Sequence, residues 1–138
     1  MVYYQEGPPP TFSQEEWLRD KFLMGLDFPD LPYFIDGEVR ITEAVAIQKY
    51  IAAKWGPKLL GRTPAERAKV NMVGSIVSDL KGSVTSGCYM DRNRPGLVEK
   101  IFDKVPKIVK FLDKKKFLVG DNLCWVDFYF FELLDFMQ

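Results

Sequence analysis

Apolar residues follow two different rhythms along the chain. Up to Trp55 they come in short pieces. Val2-Tyr3-Tyr4 is a β-type run ended by Gly7-Pro8-Pro9-Pro10, a loop that proline keeps out of any helix. Ser13-Gln14-Glu15-Glu16 reads as a capping box, with Trp17, Leu18 and Phe22 on the face of the helix that follows and Gly25 at its end. The segment from Leu31 to Ile41 predicts two strands joined by a tight turn at Asp36-Gly37. Thr42 caps a helix presenting Ile47, Tyr50 and Ile51, which Gly56-Pro57 stops.

Beyond the linker from Gly56 to Pro64 the rhythm becomes helical. Val70, Val73, Val77, Leu80 and Val84 alternate spacings of three and four, one buried stripe of a long helix. Leu97, Ile101, Val105, Ile108 and Leu112 form a second stripe, in which Pro106 predicts a kink or restart. A third helix begins near Trp125 and is apolar on nearly every face, the pattern of a helix buried within a bundle. That hydrophobic helix meets the last residue, Gln138, and a strand opens the chain, so further sequence is expected on both sides. The fold class is α+β, a mixed half over 1–56 followed by an all-helical half over 64–138.

Composition narrows the chemistry. The 138 residues are 47% hydrophobic and 28% charged, as in an ordinary globular protein. With 19 Lys+Arg against 19 Asp+Glu, the net charge is zero, which argues against a nucleic-acid partner. The chain has no histidine and 2 cysteines, Cys88 and Cys124, without a CxxC pair. Ser-His and Cys-His catalysis and a metal site are therefore not expected. The cysteines read as reduced thiols of a cytoplasmic protein. No signal peptide is visible, and Asp121, Asp127, Glu132 and Asp135 interrupt the most apolar stretch, so no membrane span is expected.

Several stretches together resemble the cytosolic glutathione transferases, most of all the mu class. They are Ser13 to Leu26, Gly25-Leu26-Asp27-Phe28-Pro29-Asp30-Leu31-Pro32-Tyr33, Ile35-Asp36-Gly37, Ile41-Thr42-Glu43-Ala44 leading to Tyr50-Ile51-Ala52, Cys88-Tyr89, and Gly120-Asp121 to Asp127-Phe128. The resemblance covers nearly all of this chain but not all of the family, whose first strand and helix precede Met1 and whose last helices follow Gln138. It implies a thioredoxin-like N-terminal half lacking its first βα unit and a truncated all-helical C-terminal half. It also implies conjugation of the glutathione thiol to small hydrophobic electrophiles, with glutathione as co-substrate and no further cofactor. A homodimer is implied as well. Against this stands the thiol-activating tyrosine, which the mu class carries on the first strand, absent from this chain. The alternative is a non-catalytic binding or structural subunit of a larger complex on the same scaffold.

The resemblance assigns roles residue by residue. Trp17 and Lys21 match the pair that holds the glycyl carboxylate of glutathione. Their spacing of four puts both on one helix face, which equally suits a core tryptophan beside a solvated lysine. Leu31-Pro32 matches the cis-proline peptide, with Leu31 offering its main chain to the ligand; an ordinary loop proline reads the same way. Glu43 takes the position that pairs with the γ-glutamyl amino group. Asp79 matches an aspartate that reaches the partner's glutathione, or is a solvated helix residue. Tyr89 matches the catalytic tyrosine beside the electrophile, or is a core phenol. Four departures stand out. Gln14 replaces an arginine, Asp30 an asparagine, and Glu43-Ala44 a Gln-Ser pair. Ala44 lacks a hydroxyl whose bond to a carboxylate is worth about 1.5–3 kcal/mol. Cys124 stands where the family's capping box carries Ser or Thr, which predicts a helix start weaker by about 1 kcal/mol.

Overall fold

The computed structural model describes residues 1–89 and 94–137, apart from the side chains at 89, 94, 95, 97 and 100. The chain divides into two compact units, Met1–Tyr50 and Ile51–Gln138.

The first unit contains α1 (Glu15–Asp20), β1 (Tyr33–Asp36) and β2 (Val39–Thr42), and α2 (Ala44–Trp55) starts in it. β1 and β2 pair antiparallel, from Tyr33 opposite Thr42 to Asp36 opposite Val39. The two-residue connection is Gly37-Glu38, with Gly37 at a φ of 61°. A left-handed first position is what a tight hairpin needs, and glycine takes it at no steric cost. The Tyr50 hydroxyl donates to Asp36 Oδ2 at 2.8 Å, tying α2 to the end of β1.

Three expectations for this unit are corrected. Residues 2–4 form no strand, because among the described residues β1 and β2 pair only with each other and offer this segment no ladder. The capping box of α1 does not close. Gln14 is the N-cap and makes no side-chain cap bond, while the Glu16 carboxylate accepts from the Gln5 N–H at 3.3 Å. The helix also ends at Asp20, well before Gly25. Arg40 Nη1 donates to the Met24 carbonyl at 2.7 Å and closes the chain into a turn there, leaving Leu18 and Phe22 exposed.

The second unit is helical. After a 3₁₀ turn at Pro57–Leu60 come α3 (Pro64–Tyr89), α4 (Arg94–Leu112) and α5 (Trp125–Phe136). α3 carries the predicted stripe, with Val70, Val73, Val77, Leu80 and Val84 all buried. Each such side chain contributes about 1.5–3 kcal/mol on leaving water. α4 and α5 both pack on α3. α4 continues through Pro106 as one helix, without a restart there. α5 is also corrected. Trp125, Val126, Tyr129, Phe130 and Leu133 are buried, but Phe128, Phe131, Leu134 and Phe136 are exposed. The packed side of α5 lies against α3, and its other apolar side has no cover among the described residues.

Gly74 sets how closely α3 and α5 approach. A Cβ there would lie 2.6 Å from Cη2 of Trp125. At the start of α5, Asp127 accepts from the Leu118 N–H and from the Cys124 N–H, both at 2.8 Å. The Cys124 sulfur faces the Asp127 N–H, so the capping-box geometry survives the Ser/Thr-to-Cys departure. Burial, reinforced by the Asp127 charge, pushes the Cys124 thiol up to about 11, and it donates to the Asn122 carbonyl at 3.5 Å. Among the described residues, no helix is long and apolar enough to cross a membrane.

Candidate functional site

The polar and aromatic groups of the first unit gather around α1. Trp17 is 7% exposed, one of the few deeply buried side chains there. Its indole stacks on Tyr33 of β1, with centroids 6.0 Å apart and planes 13° from parallel, and Tyr4 meets it edge-on at 5.3 Å. Offset and edge-to-face pairs of this kind contribute about 0.5–1.5 kcal/mol beyond their buried area. The structure brings Lys21 to the same place, with its Nζ 5.7 Å from the Trp17 ring centroid and 5.2 Å from that of Phe22. Trp17 is thus a core anchor whose exposed margin is flanked by a cation.

A short electrostatic chain lies beside it. Arg19 Nε bonds Asp20 Oδ1 at 2.8 Å, and this holds the Asp20 carboxyl below the usual carboxylate range. The Tyr4 hydroxyl is pushed up to about 12, first by hydrogen bonding with Tyr33, then by desolvation and by the charges of Tyr33 and Asp20. Tyr4 is therefore a protonated phenol throughout the neutral range. Pattern reading missed this cluster, since residues 2–4 looked like a strand and Tyr33 like one strand residue among others.

A pH prediction follows. The folded-state value of Tyr4 lies above that of a free tyrosine, near 10. Its contribution to stability is therefore complete below pH about 10 and is lost as pH rises toward about 12. In an alkaline titration followed by tyrosinate absorbance, one of the 6 tyrosines should ionise last, and Tyr4→Phe should remove that step.

The loop before β1 carries the main-chain candidate, Leu31. The Leu31–Pro32 peptide is cis, as the resemblance implies, and Leu31 is 45% exposed. Its N–H donates to Oδ1 of the neighbouring Asp30 at 2.8 Å. Glu43 sits at the junction of β2 and α2 with a φ of 71°, a left-handed conformation rare outside glycine. Its carbonyl accepts from the Ile47 N–H at 2.9 Å, opening α2. The Glu43 side chain is exposed, and Ala44 behind it is half-buried. A strained non-glycine residue at an exposed helix start is a feature found at ligand sites.

The remaining candidates belong to the second unit. Asp79 is exposed on α3, opposite the buried stripe, and its carbonyl accepts from the Ser83 hydroxyl at 2.9 Å. Tyr89 ends α3, and its side chain lies outside the described residues.

Two family models match this chain. The glutathione S-transferase N-terminal domain covers residues 2–53, and the glutathione S-transferase C-terminal domain covers residues 84–138. The chain belongs to the glutathione S-transferase family. Over 135 residues it is 36% identical to glutathione S-transferase Mu 1 of Bos taurus and to glutathione S-transferase 2 of Gallus gallus, with 96% of this chain aligned to each. It is also 36% identical to a glutathione S-transferase of Dermatophagoides pteronyssinus over 134 residues, 95% of this chain and 60% of that one. The crystal structure of the glutathione S-transferase Blo t 8 superposes with a TM-score of 0.75 at 30% identity, covering 89% of this chain and 59% of that one. The chain spans about 60% of the length of the curated relatives it matches. Its fold is that of a glutathione S-transferase, a thioredoxin-like N-terminal part with a short antiparallel sheet followed in sequence by an all-helical part. It is mu-like among the classes.

Proposed function

We propose that residues 1–56 form a glutathione-binding domain and residues 64–138 the helical domain of a cytoplasmic, dimeric glutathione transferase. The reaction is conjugation of the glutathione thiol to small hydrophobic electrophiles. The observation that carries the reading is the set within the matched N-terminal segment. It comprises Lys21 beside the Trp17 indole, the exposed cis Leu31–Pro32 peptide, and Glu43 held left-handed at the start of α2. In this reading Trp17 and Lys21 bind the glycyl carboxylate, the Leu31 main chain pairs with the cysteinyl peptide, and Glu43 faces the γ-glutamyl ammonium. Asp79 serves the site of a second copy, and Tyr89 borders the electrophile.

The chemistry asked of such a site is thiolate formation. A free thiol, with a pKa of about 8.5, is only a few per cent ionised at neutral pH, and the thiolate is the nucleophile. Tyr4 is not assigned to this task, since its titration is displaced upward, away from the working range.

Calorimetric titration with glutathione tests the binding. Ala44→Ser restores a hydroxyl for the γ-glutamyl carboxylate and should tighten binding about tenfold. Lys21→Ala should weaken it about tenfold while leaving the buried Trp17 in place. Unchanged heats across the native chain and both variants would mean that glutathione does not use this pocket. An absorbance assay with a chloronitrobenzene substrate then reads conjugation.

A further inference from the structure

The main-chain donor at the cis-proline is already occupied. A peptide N–H is a single donor, and that of Leu31 is committed to the Asp30 carboxylate at 2.8 Å. A bond to an ionised acceptor is stronger than one to a neutral carbonyl, so an incoming peptide must displace the better partner. Both residues are exposed, so the carboxylate, once displaced, turns back into solvent beside whatever has bound. Glutathione carries two carboxylates and one ammonium at neutral pH, a net negative charge, and would meet that freed carboxylate at close range.

Resting on the glutathione reading above, we propose that Asp30 is a specificity-determining residue that acts as a built-in competitor. It holds the Leu31 N–H when the site is empty and disfavours anionic peptide thiols when the site is filled. Two effects follow that can be separated. Asp30→Asn removes the charge but keeps an oxygen able to accept from Leu31. Asp30→Ala removes both and frees the donor. Salt screens repulsion between exposed charges, so the gap between the native protein and Asp30→Asn should close as ionic strength rises.

Glutathione titrations of the native chain, Asp30→Asn and Asp30→Ala, at low and high salt, decide the matter together with amide exchange at Leu31. Expected are faster exchange at Leu31 in unliganded Asp30→Ala, about tenfold tighter glutathione binding by that variant, and an intermediate affinity for Asp30→Asn. Equal affinities in all three proteins would overturn the role of Asp30 while leaving glutathione binding established. Unchanged exchange at Leu31 would also overturn it, because the competing bond would then not form in solution. If none of the three proteins binds glutathione, the reading of the site fails and the assignment of Asp30 falls with it, whatever Leu31 does.

Discussion

Asp127→Ala is expected to destabilise the second unit by about 2–5 kcal/mol. The carboxylate of Asp127 serves two main-chain donors, the Leu118 N–H and the Cys124 N–H, each at 2.8 Å. Leu118 and Cys124 are themselves buried, so water cannot replace the lost acceptor. A buried donor left without a partner costs about 1–3 kcal/mol, and here two are left at once. Against a stability of roughly 5–15 kcal/mol, that loss decides whether the unit folds. Asp127→Asn keeps one acceptor oxygen and should lose about half as much. Denaturant unfolding followed by circular dichroism reads the total. Amide exchange locates it, with Leu118 and Cys124 among the first protected positions to open. A loss below about 0.5 kcal/mol in the alanine variant would show that the loop before α5 reaches solvent and makes its own bonds.

Elements made by local contacts are foretold by their sequence, and those made by distant partners are not. In α3 the spacing of Val70, Val73, Val77, Leu80 and Val84 is a local signal for a local structure, and all five are buried as expected. The hairpin is likewise local, since its turn and both strands lie within ten residues of Gly37. The misread elements depend on partners distant in the chain. Val2-Tyr3-Tyr4 has strand-forming residues, but a strand exists only in a ladder, and none is offered. The α1 capping box was legible as a motif, yet Glu16 is claimed by the Gln5 N–H, eleven residues earlier. α5 was read as buried all round because hydrophobicity records what a helix can bury, not what arrives to cover it.

The site divides in the same way. Trp17, Lys21, Leu31 and Glu43 stand out as candidates by resemblance because residue identity and spacing carry that information. The occupation of the Leu31 N–H by Asp30 could not. An acidic residue before Leu-Pro is visible in the sequence, but whether its carboxylate turns back onto the next amide depends on backbone angles set by the loop. The Tyr4–Trp17–Tyr33 cluster is invisible for a related reason, since its members come from an irregular segment, a helix and a strand.

Gly74→Val should cost about 3 kcal/mol, and Gly74→Ala about 1–2 kcal/mol, although alanine is the better helix former by about 1 kcal/mol. The reason lies across the α3–α5 contact. A Cβ at position 74 would stand 2.6 Å from Cη2 and 2.7 Å from Cζ2 of Trp125, distances that carbon atoms do not tolerate. Trp125 is buried and leans on Tyr129, with ring centroids 5.9 Å apart, so the indole cannot swing aside cheaply. Tyr129 is in turn tied to α3, its hydroxyl 3.3 Å from that of Ser78. The test is a double-mutant cycle with Trp125→Phe, whose smaller ring lacks the two clashing atoms. Trp125→Phe destabilises by itself, but in that background Gly74→Ala should become neutral or stabilising as the helix propensity of alanine takes over. The two changes should therefore couple by about 1–3 kcal/mol in unfolding measurements. Simple additivity would mean that α3 and α5 move apart to admit a methyl group, and that Gly74 does not set their spacing.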